Sequence, residues 1–151
     1  APVPEEEFLI PFGVANIKRV GTDITLIATS SMVQVAEQAA DILAEQGISA
    51  EVIDPRTIVP LDEETLINSV KKTSRAIVID EGHQSYGITG EIASRLTEKA
   101  FYHLDAAVMR MGAMDVPVPF SPVLEDLTVP TPVGVAEMAR KLCSGELIHA
   151  A

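Results

Sequence analysis

Apolar residues along the chain fall into short continuous runs separated by charged, glycine- and proline-containing breaks, and the runs alternate with stretches of helical spacing. Ala76-Ile77-Val78-Ile79, which ends in Asp80-Glu81-Gly82, predicts a strand covered on both faces, as βαβ crossovers produce. Asp23 to Thr29 predicts a first central strand from its β-branched content, and Ile48 to Asp54 another. Ala15 to Val20 alternates weakly after Pro11 and predicts a short edge strand, and Ala106 to Met111 predicts the last strand. Between these lie helices. Met32, Val35, Ala36, Ala39, Ala40 and Leu43 share one face, with Ser30 or Ser31 as the cap and Gly47 as the left-handed stop. Asp62 caps a second helix whose first turn holds Glu63 and Glu64 and whose last holds Lys71 and Lys72, the polarity a helix dipole favours. Ile88, Ile92 and Leu96 mark a third, from Gly87 to about Ala100. Thr131-Pro132 opens a last one with Val135, Met138, Ala139 and Leu142 on its apolar face.

Strand and helix alternate in order, so the fold class is α/β with a mostly parallel sheet and helices on both faces. The stretch from Asp115 to Asp126 holds Pro117, Pro119 and Pro122; its missing donors exclude helix and ladder alike, and its apolar content places it against the domain. Residues 1–14 are expected to be a linker and extended lead-in, 15–143 the folded domain and 144–151 a frayed tail. The opening Ala1-Pro2-Val3-Pro4, without methionine, is expected of a piece of a longer polypeptide.

Composition narrows the function classes. The 151 residues suit one domain, and the formal charge of -11 repels nucleic-acid backbones, leaving basic partners or simple solubility. No apolar run approaches the roughly 18 residues of a membrane span. The lone Cys143 cannot form an internal disulfide. Open α/β sheets work at the carboxyl ends of central strands, which directs attention to Asp80 through Tyr86 and to Thr29 through Ser31. Ser30, Ser31, Glu81 and His83 are the crevice candidates. Asp80 and Glu81 point to opposite faces of a strand and cannot readily share one substrate. Without a second ligand at metal spacing, His83 predicts no zinc site. Gly87-Ile88-Thr89-Gly90 lacks the first glycine of a dinucleotide fingerprint, so Gly87 and Gly90 are expected to let the helix approach the sheet. No catalytic, cofactor-binding or metal-ligating set is assembled.

Several segments in order, Val52 to Asp62, Val70-Lys71-Lys72-Thr73, Ile79-Asp80-Glu81 with Gly87 and Gly90-Glu91-Ile92, Leu104-Asp105-Ala106, Asp115 to Phe120 and Leu124-Glu125-Asp126, resemble the C-terminal domain of the β subunit of thiamine-diphosphate-dependent 2-oxoacid dehydrogenases, within the transketolase C-terminal family. The resemblance implies a three-layer α/β/α fold with a five-stranded mixed sheet of order 1-3-2-4-5, strand 1 antiparallel. It implies that thiamine diphosphate and magnesium sit between other domains of the whole enzyme, with none bound here. This domain would supply subunit contacts to an α subunit and a second β subunit, and would dock the peripheral-subunit-binding region of the dihydrolipoyl acyltransferase. Asp105, Glu125 and Asp126 are then docking candidates; Asp105 alternatively caps the turn before the last strand. The substrate would be pyruvate, a branched-chain 2-oxoacid or acetoin, the compartment the cytoplasm or, in a eukaryote, the mitochondrial matrix, and the domain alone inactive. Ala107 stands where the family carries proline, and Ser30-Ser31 where it often carries glycine. A second reading is a stand-alone ligand-binding module built on the Thr29–Ser31 and Asp80–His83 crevice.

Overall fold

The computed structural model describes residues 7–146. The elements are β1 (Asn16–Arg19), β2 (Ile24–Ala28), α1 (Met32–Glu45), β3 (Ala50–Asp54), α2 (Glu63–Thr73), β4 (Ala76–His83), α3 (Ile88–Ala100), a 3-10 turn (Phe101–His103), β5 (Met109–Ala113), α4 (Pro122–Glu125) and α5 (Pro132–Cys143). The strands form one five-stranded sheet of order β1-β3-β2-β4-β5. β1 runs antiparallel to β3, and the remaining pairs are parallel. This is the predicted order and polarity.

Successive residues of the central strands feed opposite cores, which is why both alternating positions are apolar. Leu26, Val52, Ile77 and Ile79 pack with α1 and α5 on one face. Ile27, Ile53 and Val78 pack with Leu66 and Val70 of α2 and Ile92 and Leu96 of α3 on the other. Gly21 is required where the chain enters β2, because a Cβ there would lie 2.2 Å from the carbonyl carbon of Ala50.

Helix ends follow the sequence at Asp62, whose carboxylate accepts from Thr65 N at 3.1 Å, and at Thr131, which accepts from Gly134 N at 3.2 Å. Gly47 adopts a positive φ of 78° after α1, as expected. The other end of α1 departs from expectation. Ser31 occupies the cap position but makes no side-chain cap bond, and Ser30 takes a φ of +51°. The backbone closes this turn itself, with Met32 N bonding Thr29 O at 3.0 Å and Gln34 N bonding Ser31 O at 3.2 Å, so the serine hydroxyls are not needed as caps.

Further expectations are corrected. β4 continues to His83 instead of ending at Asp80, and its pairing with β5 slips between Ile79↔Met111 and His83↔Ala113, a bulge that spends extra β4 residues against a shorter stretch of β5. β5 itself begins at Met109, so Ala106 and Ala107 belong to the connection. The proline-rich stretch does contain a short helix, α4, because Pro122 sits in its first turn where no N–H is called for. The apolar side chains of that stretch do not pack inward: Val118, Phe120, Val123, Leu124 and Leu127 are exposed. Within α1, Val33 is buried and Val35 is half-buried. Gly87 does permit close approach, since a Cβ there would meet His83 O at 2.2 Å, whereas Gly90 has only Arg110 Nη1 at 3.5 Å and no such need. The expectations for residues 1–6 and 147–151 lie outside the described residues.

Candidate functional site

Going from β2 to β3 the chain crosses one face of the sheet by α1, and going from β4 to β5 it crosses the other face by α3, so the connections leaving the paired neighbours β2 and β4 run to opposite faces. This is the topological switch point at which open α/β sheets form a crevice. Thr29 Oγ1 donates to Asp80 Oδ1 across it, and Asp80 Oδ2 accepts from Gly82 N at 3.0 Å within the bulge. Ser31 Oγ donates to Glu81 Oε2 on the outer side. The two adjacent carboxylates therefore serve two different hydroxyls, in keeping with their opposite directions along the strand. Ser30 is exposed. His83 Nε2 donates to Val116 O at 3.1 Å, and Ser85 N donates to Asp115 Oδ1 at 3.4 Å, so the end of β4 holds the start of the proline-rich stretch.

Between that stretch and the crevice is a cleft of about 380 Å³ whose polar and charged lining comes from Ser31, Glu81, His83, Glu125, Asp126 and Thr128. The structure thus brings the crevice candidates Ser31, Glu81 and His83 together with the docking candidates Glu125 and Asp126. No lysine or arginine lines it. Walls bearing three carboxylates and one imidazole do not fit a diphosphate, which needs cationic or multiple N–H partners. Among the described residues no group of three or more His, Cys, Asp and Glu side chains is placed to hold a metal ion.

Asp105 lies elsewhere. It precedes β5, at the amino end of the parallel strands, whereas Glu125 and Asp126 follow β5 at the carboxyl end. Its carboxylate pairs with Arg75 at 2.9 Å, and its backbone N donates to Ser74 O at 2.9 Å. The pair borders a hollow of about 270 Å³ lined also by Ala106, Ala107, Met109 and Leu142. Neither alternative reading of its side chain included this ion pair. The three docking candidates do not form one patch.

Glu51 was not among the sequence candidates. It is buried in β3 with its side chain 1% exposed, and it pairs with Lys72 in the last turn of α2. Gly21 N donates to it at 3.3 Å. Burial would raise its pKa, but the hydrogen bonds from Lys72, Ser69 and Gly21 outweigh that and hold the carboxyl below its ordinary value. Beside it Thr25 Oγ1 bonds Ser69 Oγ and Thr73 Oγ1, each at 2.7 Å, linking β2 to α2 through a buried polar network. The available signal was one acid inside an apolar strand and a lysine at the end of the next helix.

Fold and crevice together define a doubly wound α/β/α domain whose switch point is occupied by its own side chains. The model of the family described as "Transketolase, C-terminal domain" matches residues 13–135, and the chain belongs to that family. It is 46% identical over 140 residues to the acetoin:2,6-dichlorophenolindophenol oxidoreductase subunit beta of Bacillus subtilis (strain 168), covering 93% of this chain and 41% of that protein. It is 43% identical over 143 residues to the mitochondrial pyruvate dehydrogenase E1 component subunit beta of Pisum sativum, covering 95% and 40%. The chain thus spans about two fifths of the length of these relatives. Among solved structures, one described as "Split gene transketolase, inactive beta4 tetramer" superposes with a TM-score of 0.76 at 24% identity over 97% of this chain and 47% of the other, a likeness of fold. No helix among the described residues is long and apolar enough to cross a membrane.

Proposed function

We propose that this chain is the C-terminal assembly and docking domain of the β subunit of a dehydrogenase that decarboxylates pyruvate or a branched-chain 2-oxoacid, or cleaves the carbon–carbon bond of acetoin, and acylates the lipoyl group of an acyltransferase core. The observation that carries this reading is the identity, over nearly the whole chain, with the β subunits of an acetoin:2,6-dichlorophenolindophenol oxidoreductase and of a pyruvate dehydrogenase E1 component, while the chain spans only about two fifths of each. In this reading residues 15–143 are the domain body, and thiamine diphosphate with magnesium is bound by other parts of the enzyme. The anionic cleft supports that division, since it repels the cofactor's diphosphate. The partners are an α subunit, a second β subunit and the peripheral-subunit-binding region of the acyltransferase, in the cytoplasm or the mitochondrial matrix.

Asp105 is the docking residue in this reading. Arg75 takes one carboxylate oxygen and fixes the group at the surface, leaving the other for a cationic side chain of the acyltransferase. The alternative, a stand-alone ligand-binding module at the crevice, is less well supported, because Thr29 and Ser31 spend their hydroxyls on Asp80 and Glu81. The test expresses the whole reading frame that carries this chain, with and without residues 15–143, beside its α subunit. Assembly by sedimentation and 2-oxoacid decarboxylation are expected to be lost in the deleted form, and an assembled, active deletion would refute the reading. In the intact subunit Asp105→Asn is expected to weaken acyltransferase binding by about 1 to 3 kcal/mol without changing the fold. Unchanged binding would remove Asp105 from the docking contact.

A further inference from the structure

Exposed large apolar side chains lie at both ends of the sheet, Val20, Phe101 and Tyr102 at the amino end and a larger group at the carboxyl end. Ile58 and Val59 follow the carboxyl end of β3, and Phe12 is carried to the same place by Gly13 N, which bonds Thr57 Oγ1 at 2.9 Å. Past the carboxyl end of β5, the segment from Met114 to Thr128 leaves the sheet and returns, with Met114 N bonding Thr128 O at 2.9 Å to close its ends. Compact loops closed in this way are recurrent sites of function. Its tethers to His83 and Ser85 hold the base, while Phe120, Val123, Leu124 and Leu127 project outward. Apolar side chains clustered to this degree on an otherwise acidic chain mark an interaction surface and not solvent-facing decoration.

Charge selects the occupant. Glu81, Asp115, Glu125 and Asp126 border the loop, and its cleft holds no lysine or arginine. A second copy seated face to face would oppose carboxylates to carboxylates, whereas a surface with an apolar centre and a basic rim would meet both features. We infer that the carboxyl-end loop, residues 114–128, is a docking surface for a protein segment with an apolar face flanked by lysine or arginine, separate from the Asp105 end of the domain. The surface is defined by this chain alone and does not depend on which enzyme the chain serves, so peptide binding and subunit assembly can fail independently.

The experiment uses the full 151-residue chain and a fluorescein-labelled 18-residue amphipathic helix of leucine and lysine, read by anisotropy, with a leucine and glutamate helix as the counterpart. The lysine peptide is expected to bind with an affinity that falls as salt rises, and the glutamate peptide is not. Phe120→Ser and Leu124→Ser keep the charge and are expected to weaken binding at least tenfold, with thermal melts unchanged because both side chains are exposed. Glu125→Gln with Asp126→Asn is expected to flatten the salt dependence. Phe101→Ser, at the opposite end of the sheet, is expected to bind as the parent chain does. The inference is overturned if Phe120→Ser and Leu124→Ser bind like the parent, if Phe101→Ser loses as much, or if the parent sediments as a dimer that Phe120→Ser abolishes, which would make the occupant a second copy.

Discussion

Replacing Lys72 by methionine removes the cation from a carboxylate that is 1% exposed while keeping the length of the side chain. Breaking a buried ion pair by deleting one partner costs about 3 to 5 kcal/mol, because the remaining charge stays in the protein interior. Lys72 is itself 41% exposed, so water reaches the vacated side and the lower end, about 3 kcal/mol, is expected. For a domain of this size that is a fall of roughly 6 to 12 °C in melting temperature. Glu51→Gln leaves an ammonium that can turn to solvent and is expected to cost less, about 1 to 2 kcal/mol. The double variant, with no buried charge, should be more stable than Lys72→Met alone. The pH dependence has a definite sign. The lowered folded-state pKa of Glu51 means that the parent gains stability from this pair above the ordinary carboxylate range and loses it as pH falls through the folded value. Without Lys72, burial dominates and favours the protonated acid, so the gap between Lys72→Met and the parent should narrow on acidification. Urea unfolding at pH 7 and at about pH 4.5 measures both effects. If Lys72→Met lies within about 0.5 kcal/mol of the parent at pH 7, the pair does not carry the stability assigned to it.

Three further substitutions test the backbone and the buried side-chain atom that lacks a hydrogen-bond partner among the described residues. Gly21→Ala is expected to destabilise by about 3 kcal/mol or more, since its Cβ would sit 2.2 Å from the Ala50 carbonyl carbon, while Gly90→Ala, inside α3 where the added Cβ would make only an ordinary contact with Arg110 Nη1 at 3.5 Å, should stabilise by about 0.5 to 1 kcal/mol; chemical unfolding of both variants decides. Thr89→Val removes a hydroxyl that is buried at the start of α3 and lacks a hydrogen-bond partner, and is expected to raise stability by about 1 kcal/mol; a fall in melting temperature would mean that the hydroxyl is satisfied after all.

The central strands were legible in the sequence because burial on both faces demands an uninterrupted apolar run, and Asp23 to Thr29 brackets β2 closely. The caps at Asp62 and Thr131 were legible because a side-chain acceptor at a helix start is a local event. Strand order and the antiparallel β1 came from the resemblance, since no local pattern encodes which strands become neighbours. The misreadings share a cause. β4 beyond Asp80, the late start of β5 and the short α4 depend on partners distant in sequence: the bulge against β5, the Arg75–Asp105 contact and the return of the loop to Thr128. Glu51 was passed over because a lone acid in a strand usually faces water, and its lysine comes from another element. Ser31, Glu81 and His83 line one cleft while Ser30 does not, and the pairing of hydroxyl with carboxylate there is a matter of side-chain geometry that composition does not carry.

The two halves of the core are finished at different moments of synthesis. Among the described residues the α2 and α3 face draws on none beyond Val108, so it can close once the chain through Val108 has emerged. The α1 face cannot, because Val135, Ala136, Ala139 and Leu142 of α5 are the side chains that complete it over Ala36, Ala39 and Leu43. A nascent chain stalled before Thr131 would present the greasy side of α1 to the ribosome's surroundings with nothing to cover it. Domains folding amino terminus first are vulnerable to aggregation in that interval. α5 therefore governs when the exposed side of α1 is covered, and a truncation that spares every strand would still leave a product for chaperones and proteases to remove.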